Sequence, residues 1–373
     1  MSKFNFFSLL LFPLSILINY LASKFPYFIE KYYSNLVNKF LIQILSKITG
    51  IFPFSLYELS VYCIIISIIL FIFYTLFIIF KTPKLLIKFL KSCILNVFSI
   101  LSIAYFLFIV LWGLNYNRPV LEDTLLKTHT LYNDKKTISL EYNKEDLKSL
   151  YKYLITKTNQ TRNLTLVDNN NIMKANSDFK NIINRSKLGY DNISDKIPGI
   201  NGNFAKPKYV ISSKIMCYSG ITGIYFPFTG EANINIAIPD INIPSTVLHE
   251  MAHQRGFANE DEANFIGYLA CINHPDIDFN YSGYILALTY TSSALKKIDF
   301  ESYKSLTSTI SKDVINDLKN NSEFWSKYEG KINNLSNKFN NSYLKANGVK
   351  EGTQSYGKMV NLLLTYYKLY NYN

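Results

Sequence analysis

The sequence predicts an α+β protein that combines an N-terminal membrane region of three helices with a mostly helical domain containing a small β-sheet. Three observations predict this division. The first third of the 373 residues is strongly apolar, whereas the remainder is rich in Asn, Lys, Asp and Ser. Within the apolar third, three segments reach the length of about 20 apolar residues that a bilayer span requires. Finally, the polar part contains a two-helix motif with metal-binding residue types.

The membrane region is predicted to cover residues 1–116, with spans at about 4–21, 59–80 and 92–114. The connector at 81–91 contains four lysines and no acidic residue. Positively charged connectors favour the cytoplasmic side of a membrane. We therefore expect a multi-pass protein of the cell membrane whose N-terminus is cytoplasmic and whose second domain, residues 117–373, lies outside the cytoplasm.

The charge of the chain is the next guide to its partners. A formal net charge of +12 would suit an anionic surface or nucleic acid. The lysines, however, are scattered among acidic residues, and there is no Arg-rich or aromatic-basic motif of the kind that binds nucleic acid. The lipid bilayer is therefore an expected partner, and nucleic acid is not. The sequence does not specify an oligomeric state.

Short strands are predicted between residues 209 and 238. The segments YVISS, GITGIYFPF and ANINIAI contain β-branched and aromatic residues and are separated by turn-forming residues. The last segment directly precedes the metal motif, and an edge strand beside a metal would hold an extended peptide by backbone hydrogen bonds. After Cys271 the apolar pattern predicts helices at 284–295, 300–318, 323–344 and 356–370.

The metal motif lies in residues 244–271, which read PSTVLHEMAHQRGFANEDEANFIGYLAC. Pro244 suits the first turn of a helix, and Gly256 suits the left-handed position just past its end. A second helix is predicted to begin at Asn259 or Glu260. Two helices joined by such a tight turn would place a carboxylate of the second against side chains of the first.

Two of the four histidines of the chain, His249 and His253, are four residues apart, with Glu250 between them. A four-residue step returns to the same helix face, so both imidazoles would reach one metal ion while Glu250 holds a water beside it. With four histidines in 373 residues, a chance His-Glu-x-x-His pattern has a probability on the order of one in a thousand.

Catalytic zinc takes three protein ligands and leaves a fourth position open. Glu260 is the first choice for the third ligand, because Asn264 follows one turn later and would hydrogen-bond a liganding histidine. Glu262 lies roughly 160° away from Glu260 on an ideal helix, so the two would not bind together. If the helix starts later, Glu262 becomes the ligand instead.

The sequences HEMAH and EDEANFIGYLA together resemble the gluzincin type of zinc metallopeptidase, whose downstream E-x-x-A-[DN] helix provides the third ligand through its first Glu. The resemblance implies a Zn²⁺ cofactor, Glu260 as that ligand and Asn264 at the last motif position. More broadly, the chain resembles the bacterial membrane family known as domain of unknown function 3810. That resemblance covers nearly the whole chain through WGLNYNRP, GIYFPFTGEANIN, HEMAHQRGFANEDEANFIGYLAC and SYGKMVNLLL.

The expected function is that of a membrane-anchored zinc peptidase with a zincin-like domain, in which Glu250 is the general base and the partner is a peptide or protein substrate. The alternative is a non-catalytic membrane sensor, or a scaffold that binds peptide or metal. A binding module has no need of a general base, so the intact His249, Glu250 and His253 favour the enzyme.

Overall fold

The computed structural model describes residues 3–133, 142–197, 199–346 and 356–370. The N-terminal third is helical, with one π-helical segment and one 3-10 turn between its helices. In chain order these elements are α1 (Lys3–Ala22), α2 (Pro26–Phe28), the π-helical segment Ile29–Asn38, α3 (Lys39–Thr49), α4 (Leu56–Lys81), the 3-10 turn Pro83–Leu85 and α5 (Leu86–Leu111).

Three of these helices, α1, α4 and α5, are long and apolar enough to cross a membrane. They coincide with the three predicted spans, but α4 and α5 begin earlier than predicted. The third span was expected to reach residue 114, whereas α5 ends at Leu111. The difference arises because Trp112 leaves the helical conformation and a 3-10 segment follows it directly.

The rest of the chain forms helices around a small sheet. The elements are the 3-10 segment Gly113–Asn117, α6 (Leu121–Asn133), α7 (Lys144–Arg162), β1 (Leu166–Val167), β2 (Met173–Lys174), α8 (Phe179–Arg185), α9 (Lys187–Asp191), β3 (Lys208–Val210), α10 (Ser213–Tyr218), β4 (Gly223–Phe226), β5 (Glu231–Asn235), the 3-10 turn Asp240–Asn242, α11 (Ile243–Gln254), α12 (Glu260–Ile272), α13 (Ile277–Ile298), α14 (Phe300–Thr307), α15 (Lys312–Ser326), α16 (Lys331–Ala346) and α17 (Tyr356–Tyr370).

The main sheet has the order β3-β5-β4, with β5 parallel to β3 and antiparallel to β4. All five residues of β5 are buried. A strand is therefore present in each of the three predicted segments. The expectation that the last strand would lie at the edge is wrong, because β5 is enclosed by its two neighbours and β4 forms the edge. A separate hairpin pairs β1 with β2.

The C-terminal helices are divided more finely than predicted. The predicted helices at 300–318 and 323–344 are three helices, α14, α15 and α16. Ser311 accepts a hydrogen bond from the Val314 N–H (3.4 Å) and so caps the start of α15, which the apolar pattern did not indicate. Side-chain caps of this kind stabilise a new helix start. The last predicted helix, 356–370, coincides with α17.

Helices α11 and α12 lie at the centre of the second domain and are buried on nearly every face. Helix α11 packs against β4, β5 and α13, helix α12 packs against α13 and α17, and α7 packs on the outside of α13. The core contains Tyr151, Leu154, Val247, Leu248, Phe265, Ile266, Leu269, Tyr281 and Leu363. The metal motif is thus held in a rigid interior and not on a loop.

Two helix ends of the N-terminal third are held by hydrogen bonds, the first from within that third and the second from the second domain. Tyr33 Oη donates to the Val110 carbonyl (2.8 Å) and Asn38 Nδ2 donates to the Leu111 carbonyl (2.6 Å). The last carbonyls of a helix have no partner within it, so the Ile29–Asn38 segment fixes the end of α5. At the start of α4, the Glu231 carboxylate accepts the Leu56 N–H (3.0 Å), a favourable place for negative charge.

The buried carboxylate of Asp317 holds α15 against the domain. It accepts hydrogen bonds from Arg162 Nε (2.5 Å), from the Met173 N–H (2.8 Å) and from Tyr281 Oη (2.7 Å). The residue is only 1% exposed. One carboxylate therefore connects α15 to α7, α13 and the β1–β2 hairpin.

We expect Asp317→Ala to lower the melting temperature of the detergent-solubilised protein by several degrees. The substitution leaves the Arg162 charge buried without its partner, which costs about 3–5 kcal/mol. Lys319→Ala is the matched control on the same helix, since Lys319 is exposed and its contact with Glu323 is a surface ion pair. Thermal unfolding followed by circular dichroism measures both, and equal melting temperatures would contradict this role for Asp317.

Candidate metal centre

The motif histidines project from one face of α11. The helix begins at Ile243, with Pro244 in its first turn as predicted. The rings of His249 and His253 lie with their centroids 4.6 Å apart and their planes nearly perpendicular. Both Nε2 atoms therefore approach the same point in space, which is the arrangement that the four-residue spacing predicts.

A left-handed turn then reverses the chain. Gly256 has φ +84°, as predicted for the position past the helix end. Its N–H donates to the His253 carbonyl (2.8 Å), and the Phe257 N–H donates to the Ala252 carbonyl (3.2 Å). This pairing closes the end of α11. Helix α12 begins at Glu260, within the predicted range.

Close packing of α12 on α11 depends on Gly267. A Cβ atom at this position would lie 3.2 Å from the His249 nitrogen and 3.3 Å from its Cα atom. Such contacts are tighter than a side chain normally accepts, so glycine permits the two backbones to approach. The approach in turn places the first residue of α12 beside the histidines.

Glu260 completes the cluster. Its Oε2 atom lies 3.2 Å from His249 Nε2 and 3.6 Å from His253 Nε2, and one ligand atom from each residue lies within 4.8 Å of the others. Ligand atoms at tetrahedral zinc distances are about 3.3 Å apart. Two histidines and a carboxylate at these separations fit a zinc ion. Among the described residues no second group of this kind is present.

The surroundings orient His253 for this role. Its Nδ1 atom lies 2.7 Å from the Phe257 carbonyl oxygen. An N–H at Nδ1 donates to that carbonyl, which leaves the Nε2 lone pair free for a metal. Although burial disfavours the imidazolium, the Glu260 carboxylate raises the pKa of His253 to about 9. A metal cation at the cluster therefore competes with a proton.

Glu250 lies beside the cluster, between α11 and β4. Burial raises its pKa, and the two neighbouring histidines partly offset the rise. Its Oε2 atom is buried and has no hydrogen-bond partner in the described part of the chain. Gly223 makes room for it, because a Cβ there would lie 2.6 Å from Glu250 Cγ. A carboxylate of raised pKa next to the cluster is suited to accept a proton.

The other predicted residues lie elsewhere. Glu262 Oε1 accepts the Leu121 N–H (2.9 Å), at the start of α6, so this carboxylate is directed away from the histidines. Burial raises the pKa of Glu262. Asn264 lines the same cleft as the cluster, but its Nδ2 atom donates to Tyr290 Oη (2.9 Å). The expected hydrogen bond from Asn264 to a liganding histidine is replaced by this contact, because α13 brings Tyr290 closer.

The cluster lies in a cleft of about 960 Å³. The β4 edge forms one wall and faces Glu250. In an antiparallel pair, alternate residues direct both backbone groups to the partner strand. The Asn235 N–H donates to the Thr222 carbonyl (2.9 Å), so Thr222 is one of the residues directed to β5. Gly223 and Tyr225 alternate with such residues, and their backbone N–H and C=O groups are therefore directed away from β5. The Tyr225 N–H accordingly hydrogen-bonds the Glu250 carboxylate and lowers the pKa of Glu250.

Sequence reasoning missed the aromatic wall of the cleft. Trp112 directly follows α5 and is only 4% exposed. Its ring lies 4.7 Å from that of Tyr225 and 5.7 Å from that of His253. Tyr116, Tyr290 and Tyr343 line the same cleft. These residues come from distant parts of the chain, and no local pattern links them to the motif.

A family model described as "Protein of unknown function (DUF3810)" matches residues 33–364. The chain belongs to this family. The matched region of this DUF3810 member includes α4, α5, the sheet and the whole histidine–glutamate cluster. No curated protein and no solved structure matches the chain.

We expect the purified DUF3810 protein to bind about one zinc ion per chain. Glu260→Gln is expected to weaken zinc binding at least about 100-fold, because removing a ligand costs more than removing a residue that only hydrogen-bonds a ligand. Zinc titration against a chromogenic chelator measures the affinity. The matched control is Glu262→Gln, whose amide oxygen still accepts the Leu121 N–H. If Glu262→Gln loses zinc and Glu260→Gln retains it, the assignment of the third ligand is wrong.

Proposed function

We propose that this chain is a membrane-anchored zinc metallopeptidase. The observation that carries the proposal is the convergence of His249, His253 and Glu260 beside the buried Glu250, in a cleft bordered by a strand edge. Zinc would be held by the first three residues, and Glu250 would be the general base. The zincin-like character of the domain is part of the same proposal and is supported by the order of sheet, α11 and α12.

Each group of the chain then has a role in peptide hydrolysis. Bound zinc would supply a Lewis acid that polarises the scissile carbonyl and lowers the pKa of water. Glu250 accepts a proton from the attacking water and delivers it to the leaving amine nitrogen. Its raised pKa supports this double role, since burial makes the protonated form accessible.

The β4 edge supports a peptide as the substrate. The backbone groups of Gly223 and the Tyr225 carbonyl are directed away from β5, and an extended peptide would pair with them as an additional strand. Such pairing would place the substrate backbone along the cleft beside Glu250. The aromatic side chains of Trp112 and Tyr343 would then contact substrate side chains.

We further propose that α1, α4 and α5 cross the cell membrane and that the second domain lies outside the cytoplasm. The lysines of the α4–α5 connection, at one end of this hairpin, support a cytoplasmic position for that end. The start of α4 contacts the second domain through Glu231, and the last turn of α5 contacts it through Tyr343, both at the opposite end of the hairpin. A cytoplasmic connector therefore implies an extracytoplasmic cleft.

Glu250→Gln is expected to retain zinc and to lower peptide hydrolysis by about 10²–10⁴-fold, the contribution typical of a positioned general base. A library of quenched fluorescent peptides, incubated with zinc-loaded protein in detergent, measures the rate. Zinc content, determined on the same samples, is the control for an intact centre. Equal rates for wild type and Glu250→Gln would exclude this mechanism and favour the sensor or scaffold alternative.

Cysteine labelling tests the orientation. Cys217 and Cys271 are buried free thiols, so replacing Cys63 and Cys93 by Ser provides a background with low reactivity. In intact cells we expect a membrane-impermeant maleimide to label Ser308→Cys in the second domain.

Thr82→Cys, in the α4–α5 connection, is the matched position and is expected to react only after lysis. Both residues are exposed in the folded chain. The opposite pattern, with Thr82→Cys labelled in intact cells and Ser308→Cys protected, would reverse the proposed topology.

A further inference from the structure

Helix α16 crosses the mouth of the cleft. Just before its start, the ring of Tyr328 lies edge-on to that of Tyr218, at 5.0 Å, at the end of α10. Near its other end, Tyr343 accepts a hydrogen bond from Tyr116 Oη (3.2 Å) and lies 6.2 Å from the ring of Phe108 on α5. The helix therefore extends from α10 to the last turn of a candidate membrane span.

The side chains of α16 form three faces, and Phe339 lies where the first two meet, since it also lines the cleft. At 100° per residue, Ser336 and Asn340 fall on the face that lines the cleft. An adjacent stripe contains Ile332, Leu335 and Phe339, which are 59%, 55% and 69% exposed. The third face contains the helix's three lysines, and the helix has no acidic residue. A helix with an exposed apolar stripe and a lysine face is typical of the membrane interface.

The start of α10 extends this apolar surface to the other span. Ile211 and Ile215 are 72% and 68% exposed. The N–H groups of Ile211 and Ser212 both donate to the Glu58 carboxylate (2.8 Å each), and Glu58 lies in the first turn of α4. We define the rim as Ile211, Ile215, Ile332, Leu335 and Phe339. Its α10 part adjoins the start of α4 through Glu58, and its α16 part adjoins the end of α5 through Tyr343.

The candidate metal centre lies at the same level as these ends. Trp112 is the first residue after α5, and its ring is 5.7 Å from that of His253. That separation is close to the rise of about 5.4 Å in one helical turn. A peptide bond in the centre would therefore be only a short distance from the point where the span leaves the bilayer.

We propose that the rim lies in the headgroup layer of the bilayer, so that the cleft opens on the membrane surface. Five large apolar side chains would then be removed from water, and the lysines of α16 would contact anionic phospholipid. The substrates would be polypeptide segments within a few residues of their own membrane anchor. The inference rests on the proposed peptidase function and on α4 and α5 crossing the bilayer.

The position of the rim is tested by fluorescence quenching in the full-length protein. Leu335→Cys and Ile215→Cys, each made in the Cys63→Ser, Cys93→Ser background, are labelled with bimane. The labelled proteins are reconstituted into phosphatidylcholine–phosphatidylglycerol vesicles with or without lipid that carries a nitroxide near the headgroup. Ser308→Cys is the control. It lies just before α15, which is about 22 Å long and reaches the cleft only at its other end.

We expect nitroxide lipid to lower bimane emission at least twofold at both rim positions and to change it little at Ser308→Cys. If nitroxide lipid changes the emission at the rim positions as little as at Ser308→Cys, the inference is overturned. This holds whether or not the protein shows peptidase activity. This measurement needs neither zinc nor substrate, so its failure is separate from a failure of the proposed function.

The substrate class is tested with two single-span reporters in the same vesicles. Each contains the peptide that is cleaved fastest in the library, placed three residues from the span in one reporter and 30 residues from it in the other. We expect at least tenfold faster cleavage of the short-spacer reporter by wild type and none by Glu250→Gln. Equal or faster cleavage of the long-spacer reporter would overturn the substrate class. If no peptide is cleaved while the rim labels are quenched, the peptidase function fails and the membrane position of the rim stands.

Discussion

The candidate site depends on the turn that returns α12 along α11. Two contacts hold that turn from outside. Arg118 Nη1 donates to the Gly256 carbonyl (2.7 Å), and the guanidinium lies 4.1 Å above the ring of Phe257. Glu30 binds the same guanidinium through both oxygens, at 2.5 and 2.9 Å. A planar bidentate pair fixes orientation as well as charge, so Glu30, from the N-terminal third, helps to hold the turn that precedes Glu260.

The contacts from Glu30 to Arg118 and from Arg118 to Gly256 make the N-terminal third and the second domain structurally interdependent. By composition, the chain divides at residue 116 into apolar helices and a polar domain. The Ile29–Asn38 segment nevertheless contacts the end of α5 directly and the turn between α11 and α12 through Arg118. Trp112, placed by that helix end, packs against His253. A movement of α5 relative to the domain would therefore reach the candidate metal centre directly, through packed side chains and without an intervening linker.

The interior near the cleft is unusually polar, and each charge there has a compensating contact. Lys208 Nζ lies 2.5 Å from Glu231 Oε1 and also donates to the carbonyls of Thr49 and Phe54. Burying a charge is costly unless it is paired and hydrogen-bonded. Two atoms of the His-Glu-x-x-His pattern lack such a contact, because Glu250 Oε2 and His249 Nδ1 are buried with no hydrogen-bond partner within the described residues. The general-base role proposed for Glu250 would account for keeping this carboxylate buried despite its desolvation cost.

The sequence alone determined the features that depend on neighbouring residues. Helical spacing predicted that His249 and His253 share a face, glycine chemistry predicted the reversal at Gly256, and hydrophobic length predicted the three long apolar helices. These follow from local backbone geometry. Glu260 was preferred over Glu262 because Asn264 follows it by one helical turn. The Glu260 carboxylate lies beside the histidines, whereas Asn264 hydrogen-bonds Tyr290.

Only the tertiary structure decided which distant residues meet. The strand next to the motif in sequence is central in the sheet, and β4 forms the edge because β3 covers the other side of β5. Asn264 contacts Tyr290, and Trp112 contacts His253, because α13 and α5 pack where local periodicity gives no information. Contacts between residues far apart in sequence depend on how whole helices fill the space around one core, and a pattern read along the chain does not specify that packing.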